Sequence, residues 1–208
     1  MAVWRVIMIN TIIFDIGNVL VQFRWKEYLI DCGYDEETIE KIGRATVKTD
    51  LWKEWDRGVI EEDEMIRLCC AQDPTMEPGI RALFHAPEKL IEVYHYSTEL
   101  VKQLKANGYQ VYLLSNYSKN HFEIDKDYFD FIPHVDGGII SYEIKHVKPE
   151  PEIYEALIAK YKFNPEEAVF LDDLTENLKG AADFGIHTIL VRSYEQILED
   201  LRGLGVKI

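Results

Sequence analysis

Basic residues are scarce in this chain of 208 residues: Lys and Arg total 23 against 37 Asp and Glu, a formal net charge of −14. A surface so acidic repels phosphate backbones and anionic lipid, so nucleic acids and membrane surfaces are poor partners and none is expected. It also requires that any phosphorylated substrate be met by a local positive site or a bound cation. Cysteine is scarce too. Cys32, Cys69 and Cys70 are odd in number and lack metal-like spacing, and adjacent cysteines rarely bridge one another, so no disulfide framework is expected. A long apolar run is missing. The run from Val6 to Phe14 is broken by Asn10 and is too short to span a membrane. Arg5 ahead of it imitates the start of a signal peptide, but no small-residue cleavage site follows and Asp15 interrupts. There is no internal repeat and no low-complexity linker. The reading is a cytoplasmic protein.

What is present is a core. Apolar residues make up 47% of the chain and charged residues 29%, as in a soluble globular protein, which rules out disorder or a fibrous repeat. The length fits one large domain or a domain carrying a smaller insert. Thr11-Ile12-Ile13-Phe14 is apolar without polar alternation, the pattern of a strand buried on both faces. Similar runs recur at 111–114, 168–171 and 188–191. Helical patterns lie between them: Ser97 as cap of a helix ending at Asn107-Gly108, Pro151 to about Tyr161, and Asn177 to Phe184 closed by Gly185. Strands alternating with helices predict an α/β fold with a central parallel sheet and helices on both faces. Residues 23–94 break the rhythm. They show no convincing strand and read as helices around Trp25–Asp31, Glu36–Val47, Glu61–Leu68 and Pro87–Val93. This all-α block, with three of the four tryptophans, reads as an insert into a core of residues 1–22 and 95–208.

Four features fall just beyond predicted strand ends, where open parallel sheets place ligands. Asp15, followed by Gly17 and Asn18, puts a carboxylate on a tight turn. Ser115-Asn116 ends a second strand with a hydroxyl and an amide, both able to bond an anionic oxygen where a helix begins. Lys148 precedes Pro149 and Pro151, which hold the segment extended and aim the lysine. Asp172-Asp173 ends a buried strand with two carboxylates that repel each other and call for a hard cation such as Mg²⁺. Taken singly, these are also a turn former, a helix cap, a solvated lysine and surface acids. Together they supply a nucleophile, a phosphate cradle and a metal site.

In order and spacing the four motifs resemble those of the haloacid dehalogenase superfamily, across residues 9–22 and 95–195. The resemblance implies a Rossmann-like core with an inserted helical cap. It also implies a Mg²⁺-dependent phosphatase acting on a small phosphorylated metabolite, a sugar phosphate by preference. Asp15 is similar to the family's nucleophile, which forms an aspartyl-phosphate. Ser115 and Lys148 are similar to the groups that hold the transferring oxygens, with Asn116 and Asn18 assisting. Asp15, the Gly17 carbonyl, Asp172 and Asp173 look like the metal site. The run Trp55-Asp56-Arg57-Gly58 resembles caps of the branch whose first motif reads Asp-x-Gly-Asn. One position departs: phosphatases of this superfamily usually carry a second Asp, the general acid and base, where this chain has Gly17. Unless the cap supplies a proton donor, leaving groups already stable as anions should react faster, so sugar 1-phosphates and aryl phosphates are expected to outrun sugar 6-phosphates. The alternatives are a metal-independent 2-haloacid dehalogenase-like hydrolase and a catalytically weak binding module.

Overall fold

The computed structural model describes residues 8–208. Arg5 and the start of the apolar run at Val6 lie outside the described residues. In chain order come β1 (Thr11–Phe14), β2 (Val21–Phe23), α1 (Trp25–Asp31), α2 (Glu36–Ala45), α3 (Asp50–Asp56), α4 (Glu62–Gln72), α5 (Glu77–His85) and β3 (Ile91–Val93). They are followed by α6 (Ser97–Ala106), β4 (Gln110–Ser115), α7 (Lys119–Asp125), β5 (Gly137–Ile140), α8 (Ser141–Ile144), α9 (Pro151–Tyr161), β6 (Ala168–Asp172), α10 (Thr175–Ala182), β7 (His187–Leu190) and α11 (Tyr194–Gly203). Among the described residues no helix is long and apolar enough to cross a membrane.

Five strands form one parallel sheet in the order β5-β4-β1-β6-β7. Side chains alternate across a strand, so Ile12 and Phe14 enter a core on one face with Leu100, Val101 and Leu104 of α6 and Ile197 and Leu201 of α11. Ile13 points the other way, into a core with Ile153, Tyr154 and Leu157 of α9 and Leu178 of α10. Burial on both faces is why β1 is apolar throughout. From β1 the chain builds outward through β4 and β5, then crosses to β6 and β7 on the other side. The order therefore reverses at β1, and ligands of open α/β sheets bind at the strand ends beside such a reversal.

Helices α1 to α5 pack around a third cluster of their own, including Trp25, Leu29, Ile42, Trp55, Met65 and Phe84. Two strands bound this insert, which corrects the strand-free reading. Ile91–Val93 does not continue a helix from Pro87. After a short 3₁₀ turn at Pro87–Lys89 it pairs antiparallel with Val21–Phe23. The β-branched Ile91 and Val93 suit a pleated ribbon. Helices α3 and α5 were not singled out from the sequence. Ser97 is also not a cap: it is the first residue of α6, buried, and its hydroxyl donates to Leu20 O at 2.6 Å. Gly185, with φ +82°, turns the chain after α10.

Candidate active site

The floor of the site is built from three adjacent strand ends. Asp15 follows β1, its amide donating to Leu171 O of β6 (2.9 Å) while its Oδ1 accepts from Ile16 N (2.7 Å). Ser115 closes β4 and is buried, and its side chain acts to lower the Asp15 carboxyl. Asp172 closes β6 and is fully buried. Its oxygens accept from Leu174 N (2.7 Å) and from Asn177 Nδ2 (3.0 and 3.1 Å).

Lys148 reaches between these strand ends with its side chain 1% exposed. Its Nζ lies 2.9 Å from Asp15 Oδ2 and 2.7 Å from Asp172 Oδ2. Burial works against the ammonium charge, yet Asp15 and Asp172 hold the lysine above its ordinary value. Burial pushes Asp15 up to about 7 against the pull of Lys148, with Asp172 adding to the rise. Burial raises Asp173 as well, against its bond from Asn18. Asp15, Asp172 and Asp173 offer oxygens within 4.8 Å of one another. Three carboxylates facing one ammonium leave excess negative charge, and an all-oxygen donor set of this kind fits a hard divalent cation.

The two asparagines that the sequence assigns to phosphate both line the cavity, and each also has partners within the protein. Asn116 accepts from Lys148 N (2.7 Å) and donates to Lys148 O (3.0 Å), so it fixes the backbone from which the lysine extends. Asn18, at φ +53°, donates to Asp173 Oδ2 (3.0 Å) and accepts from Phe23 N (3.2 Å), tying the acidic loop to the base of the insert. Asn tolerates that left-handed backbone better than most residues. Gly17 has no such need: a Cβ there would meet nothing within 4 Å.

Above the floor lies a cavity of about 280 Å³, roofed from the insert side by Phe23, Trp52, Asp56 and Leu90. The insert is tied to the core beside it. Arg57 grips Glu150 through two bonds of 2.6 Å and also donates to Lys145 O (3.3 Å). Ser141 Oγ donates to Asp56 O (2.5 Å) and Lys145 Nζ to Gly58 O (2.5 Å). Gly58 is required here, since its φ is +73° and a Cβ would sit 2.9 Å from Tyr142 Cβ and 3.1 Å from its Cα.

Several wall residues had escaped sequence reasoning. Asn177, five residues beyond Asp172, orients that carboxylate and reads in the sequence only as a helix start. His121 and Asp125, one turn apart on α7, carry no motif at all. Burial pushes His121 down to about 3 and Asp125 up to about 6, and His121 Nε2 and Asp125 Oδ1 have no hydrogen-bond partner.

A family model described as haloacid dehalogenase-like hydrolase matches residues 9–185. The chain belongs to this family of hydrolases. It is 29% identical over 201 residues to a D-ribitol-5-phosphate phosphatase from Bacteroides thetaiotaomicron, covering 87% of this chain and 91% of that protein. A HAD family enzyme from Bacteroides thetaiotaomicron, crystallised with magnesium and inorganic phosphate, matches with a TM-score of 0.68 at 25% identity, covering 91% of this chain and 98% of the other. Acyl-CoA dehydrogenase family member 10 from Mus musculus is 28% identical over 212 residues, 94% of this chain, but the chain spans only 19% of that protein's length. The HAD fold thus accounts for the parallel sheet and for the convergence of its strand ends on one acidic floor.

Proposed function

We propose that this HAD-like hydrolase is a Mg²⁺-dependent phosphatase that cleaves the monoester of a small phosphorylated metabolite, sugar phosphates included, through an aspartyl-phosphate on Asp15. The observation that carries the reading is the Lys148 ammonium buried between Asp15 and Asp172, with Asp173 adding a third carboxylate. Asp15, Asp172, Asp173 and the Gly17 carbonyl would hold the ion, which supplies positive charge beside the transferring phosphoryl group when bound. The likeness to a D-ribitol-5-phosphate phosphatase and to a HAD family enzyme crystallised with magnesium and inorganic phosphate supports the same chemistry.

In this mechanism Asp15 attacks phosphorus in line, and water later hydrolyses the acyl phosphate. Lys148 and Ser115 hold the phosphoryl oxygens in a site shielded from water. Asn116 positions Lys148, and Asn177 with the Leu174 amide orients Asp172. Residues 23–94 serve as a cap over a core of 1–22 and 95–208, a division supported by the separate apolar cluster of α1 to α5. The net charge of −14 favours a small anion met locally over nucleic acid or a membrane. The three free cysteines fit a reducing compartment, the cytoplasm.

A 2-haloacid dehalogenase would use Asp15 on carbon without a cation, and the clustering of Asp172 and Asp173 beside it counts against that reading. The test is phosphate release from 4-nitrophenyl phosphate and a panel of phosphorylated metabolites, with Mg²⁺ and after chelation. Asp15→Asn should abolish turnover while the fold persists. Release that ignores chelation, or near-wild-type turnover by the Asn variant, overturns the proposal.

A further inference from the structure

Breaking a P–O bond leaves charge on the departing oxygen, and for an alkoxide that charge must be met by a proton. Gly17 has no side chain to give one. The remaining titratable groups on the cavity wall are Asp56, Tyr117, His121 and Asp125. The Tyr117 hydroxyl is committed to Asp125 Oδ2 at 2.6 Å, and Asp125 is 1% exposed beneath it. His121 Nε2 is sealed in the packing of Trp52, Trp55 and Phe84, and burial keeps the ring neutral. Asp56 differs from these. It ends α3 in the insert, is half-buried, and lines the same cavity as Asp15 from the roof.

On the phosphatase reading above, we infer that Asp56, presented by the insert, is the acid that protonates the leaving oxygen in place of the side chain Gly17 lacks. Four links hold it in place. Its own carbonyl is bonded by Ser141, the next residue is gripped by Glu150 and Lys145 O, and Gly58 O is held by Lys145. A carboxyl on a segment clamped at successive residues is aimed, not free to sweep. Burial pushes the Asp56 carboxyl up, opposed by the Ser118 amide and Lys148 and assisted by Asp15, which is the direction a proton donor needs.

The steps balance. An Asp15 oxygen bonds to phosphorus as the ester P–O bond breaks, and the departing electron pair takes the Asp56 proton, releasing the alcohol. Water then attacks the acyl phosphate, returns one proton to the Asp56 carboxylate, and breaks the bond to Asp15, freeing phosphate and restoring both residues.

The experiment measures Mg²⁺-dependent kcat/KM over esters running from nitrated phenyl phosphates through phenyl phosphate to alkyl phosphates. It compares wild type, Asp56→Asn, Asp56→Glu, and the double variant Gly17→Asp with Asp56→Asn. The Asp56→Asn loss should grow with leaving-group pKa, reaching about 10²–10⁴-fold for alkyl esters and being smallest for the nitrated phenyl esters. Asp56→Glu should recover part of it. Because a Cβ at 17 meets open space, the double variant should regain alkyl-ester turnover from the opposite wall. An equal loss for every ester is the signature of a merely structural residue and overturns the inference while leaving the phosphatase reading standing. A wild type that hydrolyses no ester overturns both.

Discussion

Replacing Lys148 separates its two roles, holding the floor together and holding the phosphoryl group. The lysine is 1% exposed and lies within 2.9 Å of two carboxylates whose side chains are 11% and 0% exposed. Lys148→Met keeps the length of the stem and removes only the charge, so it strands Asp15, Asp172 and Asp173 together. Removing one partner from a buried ion pair costs about 3–5 kcal/mol. The stranded carboxyls relieve part of that cost by taking up protons. Burial already raises Asp15 from 3.8 to about 7 with Lys148 in place, and losing the cation raises it further. A folded-state carboxyl raised above its unfolded value is most favourable below the unfolded value and loses stability as pH climbs, at about 1.4 kcal/mol per unit. The Met variant should therefore be penalised more at pH 8 than at pH 5, and added Mg²⁺ should restore part of the loss at pH 8. Its turnover should stay down by about 10²-fold or more even with Mg²⁺ saturating. Lys160→Met is the control: this lysine is exposed on α9, donates to Gly138 O at 3.0 Å and lies over the Tyr161 ring, so its effect should stay within about 0.5 kcal/mol. The assays are urea unfolding followed by tryptophan fluorescence at both pH values, with and without Mg²⁺, and phosphate release. Small, equal effects at the two lysines, or a stability loss indifferent to pH and Mg²⁺, would refute the reasoning.

Further outcomes follow from other contacts. Asp172→Asn should weaken Mg²⁺ binding measured by calorimetry, with partial recovery of turnover at high Mg²⁺; unchanged affinity would remove Asp172 from the metal site. A double-mutant cycle on Arg57→Ala and Glu150→Ala should give a coupling of about 1–3 kcal/mol. Arg57 holds the Glu150 carboxyl down from 4.5 to about 2, so that coupling should be complete above pH 4.5 and fade as pH falls toward 2; a coupling flat across that window would mean the pair is not ionic. His121→Leu removes a buried ring nitrogen without a partner and should stabilise the fold by about 1–3 kcal/mol at neutral pH. The unfolded histidine takes a proton near 6.5 and the folded one only near 3, so wild type alone loses stability as pH falls through that range. The gap between the two proteins should widen by about 1.4 kcal/mol per unit below 6.5, and a constant gap would contradict a buried neutral ring.

Signals carried by adjacent residues were legible in the chain alone. The apolar run of β1, the proline start of α9 and the order Asp15, Ser115, Lys148, Asp172 each rest on local backbone preference or on which side chain ends a buried strand. Those positions sit where a parallel sheet brings strand ends together, so the residues of the acidic floor follow from the sequence even though their distances do not. What depended on a partner distant in sequence was not legible. Ile91–Val93 is a strand only because Val21–Phe23 lies beside it, and Ser97 loses its capping role to Leu20 O. Nothing in the sequence shows that Asn116 also pairs with the Lys148 backbone or Asn18 with the Asp173 carboxylate. The run Trp55-Asp56-Arg57-Gly58 marks Asp56 only as part of a cap, and His121 carries no motif at all. Their protonation states were decided by tertiary packing, because desolvation is set by the atoms that close over a group and not by its neighbours along the chain.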